Sequence, residues 1–318
     1  MHFWHGFTND LFVMPIDITI KYAELPNGLT YFYQHWIPQS PPALVVYVHG
    51  LGDHIGRYQH LVNRLANDGL AVALYDQRGH GRSEGRRGHV GRFSDWVEDL
   101  AGFVQFSASA VPPDTPLFLI GQGLGALVAI NYVLTHAVNV GGLVTISAAL
   151  KPMVRIPGWK RRAGEKVARF LPWLTLEDGV RPSDLTREIS EVEAVAGDSL
   201  YHTRVSLAAG QEIERYVALL GGVPHRMHEP FLMLAGTGDR ISDPQASSWF
   251  TARAQSLDKG CKIYDGMYHD LLHDIGWEVV LGDLESWILD RAGLTVPSEQ
   301  YRLSGRGETW QNISRVRR

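Results

Sequence analysis

Leu117-Phe118-Leu119-Ile120-Gly121-Gln122-Gly123-Leu124-Gly125-Ala126-Leu127-Val128-Ala129-Ile130 is the stretch on which the reading of this chain turns. Its first four apolar residues read as a buried strand, and residues 126–134 read as an apolar helix that begins at once. Only a tight turn fits between them. Gly121 and Gly125 are small enough for the strand and helix backbones to pass closely. The central residue of such a turn stands on a sharp bend at the strand's end, the place where a Gly-x-Ser-x-Gly elbow holds its hydroxyl. Here that residue is Gly123, so the bend is present and the hydroxyl is not.

Outward from the turn the same alternation recurs. Residues 18–25 and 29–36 are strand-like and are separated by Pro26-Asn27-Gly28, which reads as an antiparallel hairpin. Residues 43–48 form a continuous apolar run. Ile55, Tyr58, Leu61, Val62 and Leu65 then recur at helical spacing up to Gly69. Residues 70–75 read as another strand, 93–106 as a helix and 142–146 as a strand. The pattern stops near Ala149 and resumes with a strand over 231–235, a helix over 244–257, a strand over 261–264 and a last amphipathic helix. That helix carries Trp277, Val280, Leu281, Leu284, Trp287 and Ile288. Alternating apolar strands and helices predict an α/β fold with a mostly parallel central sheet covered on both faces, its ligands beyond the C-terminal strand ends.

The interval between the two halves is too long for a loop and reads mostly helical. The expected organisation is a first core part over residues 1–149, a cap or lid insertion over 150–229, a second core part over 230–292 and a polar tail over 293–318. The start of the cap sets Lys151, Arg155, Lys160, Arg161, Arg162, Lys166 and Arg169 against Glu165 alone, beside Trp159, Phe170 and Trp173. One reading is a lid that docks on an anionic lipid surface or admits an acyl chain. The other is a solvated basic face whose apolar side packs on the core.

Length and composition bound the rest. A chain of 318 residues with 45% apolar content can bury a large core. Its formal net charge of -4 offers no electrostatic reason to expect nucleic acid. One cysteine, Cys261, excludes an internal disulfide framework and suits a reducing compartment. The first fourteen residues lack the basic start of a signal peptide, and no window is long and apolar enough to span a bilayer. The expectation is a cytoplasmic protein with at most peripheral membrane contact through the cap. Asn312-Ile313-Ser314 matches a glycosylation sequon of the kind that arises often by chance.

Chemistry of acyl transfer on this architecture needs, after the elbow, an acid and then a histidine in chain order. Asp239 directly follows the strand ending at Ala235, and His269 follows the next strand. A buried carboxylate holding one imidazole nitrogen leaves the other free as a general base. Asp243 is the rival acid, but it precedes Pro244 as a helix cap would. His273 lies four residues beyond His269. The residue after His269 is Asp270, where a metalloprotease helix would need Glu, so no metal is expected. Two backbone amides should form an oxyanion hole: that of Leu124, after the elbow, and that of Leu51 in the glycine-rich loop 49–54. Ser147 ends a different strand and is a poor substitute nucleophile.

Five segments together carry a specific resemblance. They are His49-Gly50-Leu51-Gly52-Asp53-His54, Asp76-Gln77-Arg78-Gly79-His80-Gly81-Arg82-Ser83, Gly121-Gln122-Gly123-Leu124-Gly125, Gly236-Thr237-Gly238-Asp239 and Tyr268-His269. Over residues 17–292 the chain resembles the monoacylglycerol lipase and lysophospholipase branch of the α/β-hydrolases. Asp198-Ser199-Leu200-Tyr201-His202 is similar to a segment that these lipases carry ahead of a cap helix. The resemblance implies ester hydrolysis through an acyl-enzyme, no cofactor, and a lipid-like ester or other small apolar ligand beneath the lid. It also implies that the run from Asp76 to Ser83 organises a loop beside the site. Gly123 is the departure: the family has serine there. Three readings follow, namely a lipase framework without its nucleophile, a binding protein for a small apolar ligand, and serine-independent chemistry with Asp239 and His269 as a base.

Overall fold

In the computed structural model, which describes residues 16–136, 140–154 and 158–294, the apolar runs assemble into one eight-stranded sheet. Strands β1 (Ile16–Glu24), β2 (Thr30–Pro38), β3 (Leu44–Val48), β4 (Ala71–Tyr75), β5 (Leu117–Gln122) and β6 (Val140–Ile146) come first. Two short strands, β7 (Thr175–Glu177) and β8 (Arg204–Ser206), pair only with each other. Strands β9 (Phe231–Gly236) and β10 (Lys259–Tyr264) return to the main sheet. Its order is β1-β2-β4-β3-β5-β6-β9-β10, antiparallel for β1-β2 and β2-β4 and parallel elsewhere. The hairpin turns where Gly28, at φ 76°, lets its amide reach the Leu25 carbonyl at 2.9 Å.

The nine α-helices of the described residues are α1 (Gln59–Asn67), α2 (Phe93–Ala108), α3 (Leu124–Thr135), α4 (Gly158–Ala168), α5 (Pro182–Leu185), α6 (Ile189–Gly197), α7 (Leu207–Gly222), α8 (Pro244–Arg253) and α9 (Trp277–Arg291). Strand alternation divides the core in two. In β3, Leu44, Val46 and Val48 face a cluster built with α2, α3 and Phe250 of α8, while Val45 and Tyr47 face one built with α1 and α9. Both faces of β3 and β5 are therefore buried, which is why these strands read as unbroken apolar runs. Helix α3 is buried nearly all round and lies under α2 and α7, so it lacks the amphipathic stripe of a surface helix.

Between β6 and β9 no strand of the described residues joins the main sheet; α4, β7, α5, α6, β8 and α7 lie in the interval. The sequence pattern predicts helices there, and the β7-β8 ladder is an addition of the structure. Its three-residue strands are too short to show a period of two. This ladder meets the core through backbone. The Ser206 amide of β8 donates to the Gly88 carbonyl at 2.8 Å; just ahead of β8 the His202 amide donates to the Gly52 carbonyl at 2.9 Å, and a β-carbon on Gly52, at φ 76°, would overlap the His202 carbonyl. The N-terminal fourteen residues, the tail from 295 on and the Asn312 sequon lie outside the described residues.

Candidate active site

Strand β5 ends at Gln122, and α3 begins at Leu124. The single residue between them, Gly123, holds φ 53° and ψ -111°. The three glycines of the turn are held by different causes. A β-carbon on Gly125 would overlap the Val48 and His49 carbonyls, and one on Gly121 would lie 2.6 Å from the Gly125 carbonyl, so close packing demands both. Gly123 has more room. Its β-carbon would meet only side-chain atoms at close range, His269 Nε2 at 3.3 Å, so a side chain there needs a small shift of that ring as well as tolerance of the left-handed φ.

His269 is turned toward that space by Asp239. The imidazole Nδ1–H donates to Asp239 Oδ2 at 2.9 Å, leaving the Nε2 lone pair toward Gly123. Asp239 is itself fixed, because its Oδ1 accepts from the amides of Ile241 at 2.8 Å and Ser242 at 2.9 Å. Burial alone would lower the His269 pKa. The charge and hydrogen bond of Asp239, with weaker help from Asp270 and Asp53, outweigh it and raise the pKa above its ordinary value. Asp243 does something else: it accepts from Gln245 N at the start of α8 and pairs with Lys151 at 2.6 Å.

The loop after β3 is set by a buried histidine. Gln77 N–H donates to His49 Nε2 at 2.9 Å, so the proton sits on Nδ1, which donates to the Gly50 carbonyl at 2.7 Å. Burial lowers the His49 pKa, in keeping with this neutral ring. Pinning the Gly50 carbonyl fixes the peptide plane that carries the Leu51 amide. Leu124, as the first residue of α3, has an amide with no partner inside the helix. Leu51 and Leu124 line one cavity of about 180 Å³ together with Gly123 and His269. Ser147, at φ 46°, is buried and does not line it.

Beneath the elbow lies a buried charge network that sequence reasoning missed. Arg57 donates to Asp270 Oδ2 at 2.7 Å and to Asp53 Oδ1 at 3.2 Å. Tyr58 donates to Asp53, and Gln122 Nε2 donates to Asp270 Oδ1 at 2.9 Å. Both ring nitrogens of His273 are engaged, Nδ1 with Asp270 at 2.9 Å and Nε2 with the Arg57 carbonyl at 3.0 Å. Two acceptors require two N–H donors, so this ring is an imidazolium, and it has no lone pair for a metal. Burial opposes that charge, while Asp270 raises the His273 pKa above its usual value. Asp270 is held well below the carboxylate range by His273 and Arg57, against the effect of burial. Arg57 and His273 thus balance Asp53 and Asp270. The sequence signals were the four-residue step from Asp53 to Arg57 and the three-residue step from Asp270 to His273.

The region between β6 and β9 supplies the roof. Val154, Val180, Leu185 and Ile213 make it apolar, and Asp178 and Tyr201 add polar groups beside Asp53, Arg57 and Asp270. Burial pushes the Asp178 carboxyl up to about 6. The segment 198–202 clamps this roof to the loop after β3, since His54 Nε2–H donates to Asp198 Oδ2 at 2.7 Å. Asp76 organises its loop from the side: its carboxylate accepts from Ile55 N at 2.8 Å and Arg82 N at 2.7 Å.

A mostly parallel sheet whose strand–turn–helix elbow faces an Asp–His pair is the architecture of an α/β-hydrolase, and this chain belongs to the Hydrolase_4 family, described as serine aminopeptidase, S33, which matches residues 39–276. It is 31% identical to the human monoglyceride lipase over 284 residues, covering 86% of this chain and 93% of that protein. The monoacylglycerol lipase of Mycolicibacterium smegmatis is 29% identical over 268 residues, covering 83% of this chain and 94% of that protein. An uncharacterized abhydrolase domain-containing protein of Dictyostelium discoideum is 31% identical over 260 residues, 80% of this chain and 27% of that much longer protein. Among solved structures, a monoacylglycerol lipase of Paleococcus ferrophilus superposes with TM-score 0.75 at 28% identity, covering 83% of this chain and 99% of that one. Among the described residues no helix is long and apolar enough to cross a membrane.

Proposed function

We propose that this chain is a carboxylic-ester hydrolase framework that binds a lipid-like ester beneath its cap and lacks the nucleophile for efficient turnover. The observation that carries this reading is the 3.3 Å between His269 Nε2 and the β-carbon position of Gly123. The base stands where it would accept a proton from a hydroxyl on that carbon. Leu51 and Leu124 supply the oxyanion amides, and Asp239 orients the base. The roof of Val154, Val180, Leu185 and Ile213 suits an apolar acyl group. Arg169 beside the exposed Phe170, Leu171 and Trp173 favours peripheral contact with a lipid surface.

Without the serine, the acyl-enzyme cannot form. Loss of a triad nucleophile costs about a millionfold in turnover, roughly 8 kcal/mol of barrier. What the remaining groups offer is general-base chemistry. A water beside Gly123 would add its oxygen to the ester carbonyl while His269 Nε2 takes its proton and then passes it to the leaving alcohol. The retained Asp239–His269 pair, bonded at 2.9 Å with Nε2 turned to the elbow, favours this second reading over simple ligand binding.

The test is hydrolysis of short nitrophenyl esters and of a monoacylglycerol by the parent and by Gly123→Ser. The serine variant should gain activity by at least a thousandfold and react with a fluorophosphonate that leaves the parent unlabelled. No gain in a folded variant sinks the hydrolase reading. Parent activity that His269→Ala abolishes would establish the water route. Saturable ligand binding without turnover in either form would leave a binding protein.

A further inference from the structure

Strand β1 ends the eight-stranded sheet and, among the described residues, pairs only with β2. Its outer edge is therefore a row of backbone donors and acceptors that no described strand covers. Ile18, Ile20 and Tyr22 alternate along one face of it and are 57%, 52% and 57% exposed. Soluble proteins ordinarily blunt such an edge with proline, a bulge, a covering element or charged side chains, lysine above all. This strand has charges of a different arrangement. Asp17 and Lys21 stand symmetrically about Thr19, with Ile18 and Ile20 between them.

Asp17-Ile18-Thr19-Ile20-Lys21 is complementary to itself read backwards. When two copies lie antiparallel with Thr19 opposite Thr19, Asp17 faces the partner's Lys21 and Lys21 faces the partner's Asp17. Ile18 and Ile20 face each other in the same reciprocal way. Strand alternation then puts both ion pairs on one face of the joined sheet and all four isoleucines on the other. A two-fold axis perpendicular to the sheet keeps each residue on the same face in both copies, so the register can slip only in steps that move both charges. Centred on Ile18 or Ile20 instead, neither Asp17 nor Lys21 meets an opposite charge.

We propose that β1 is a homodimerisation edge on which a second copy of this chain pairs antiparallel about Thr19, merging two eight-stranded sheets into one. Such a contact is isologous, as closed dimers require. Strands β2, β4 and β3 separate this edge from β5 and its elbow, so the cavity of each copy stays open. A pairing this short buries less than a standard interface, which makes the dimer dependent on concentration.

The test is sedimentation of the full chain over a concentration series. The average mass should climb from 35.5 kDa toward twice that value. Asp17→Lys sets like charges opposite each other at both ends and should weaken dimerisation about tenfold, as should Lys21→Asp. The double exchange Asp17→Lys with Lys21→Asp restores both pairs in this register alone and should recover the parent constant. A monomer at every concentration overturns the proposal. So does a dimer indifferent to the single exchanges, or one that forms only after residues 1–15 are removed, since that would assign the edge to that segment.

Discussion

His269 Nε2 and the unoccupied β-carbon position of Gly123 face each other across 3.3 Å, with Asp239 bonded to the far side of the ring. Glycine at this bend relieves a backbone cost that serine would bear. A residue with a β-carbon at φ 53° is strained by about 1–3 kcal/mol. Gly123→Ser and Gly123→Ala should therefore both lower the unfolding free energy by about that amount in urea titrations, and only the serine variant should gain esterase activity. Equal stability in all three proteins would refute the strain argument.

The pH profile of Gly123→Ser should report His269. Its neutral form is the base, and its pKa is raised, so kcat/KM should rise with pH and level off only above the ordinary histidine value near 6.5. Removing the Asp239 charge with Asp239→Asn should move that limb to lower pH and reduce the plateau. Linkage works in the same direction: the contribution of protonated His269 to stability is full below about pH 6.5 and is lost as pH rises through the raised value.

Arg57 is the cation that two buried carboxylates share, His273 assisting it at Asp270. Arg57→Met would leave Asp53 and Asp270 buried near each other and should cost about 3–5 kcal/mol at neutral pH, measured by denaturant unfolding. Because Asp270 is depressed, its own contribution is present above the unfolded aspartate pKa of about 3.9 and is lost on acidification through its lower folded value. The deficit of the variant should therefore shrink as Asp53 and Asp270 take up protons. A deficit that stays constant down to pH 3 would show that packing, and not charge, sets it.

Asp178 puts a titrating carboxyl in the roof of the cavity. With its pKa near 6, an uncharged apolar probe such as a long-chain alcohol should bind more tightly as pH falls from 7 to 5, since only the neutral acid is easily covered. Asp178→Asn should abolish that dependence when binding is followed by calorimetry. A pH response unchanged in the variant would place its origin elsewhere in the cavity.

Period and punctuation alone determined the order of strands and helices, the hairpin at Asn27-Gly28 and the elbow at Gly121 to Gly125, because each is a local property of backbone and near neighbours. The segments around Asp239 and His269 were equally legible, since strand ends in a parallel sheet converge on one edge. Only the folded chain decided the rest. The Asp53–Arg57–Asp270–His273 network joins residues more than two hundred positions apart, and its charges are tolerable only because burial and pairing balance in three dimensions. The β7-β8 ladder was too short to signal itself, and its place is set by backbone contact at Gly88, with Gly52 meeting the chain just ahead of β8. Asp178 lines the cavity only because the segment between β6 and β9 lies over it in the folded chain. For Gly123 the division is sharpest: the residue is written in the sequence, but its β-carbon position, 3.3 Å from His269 Nε2, is set only once packing fixes Gly121 and Gly125 on either side.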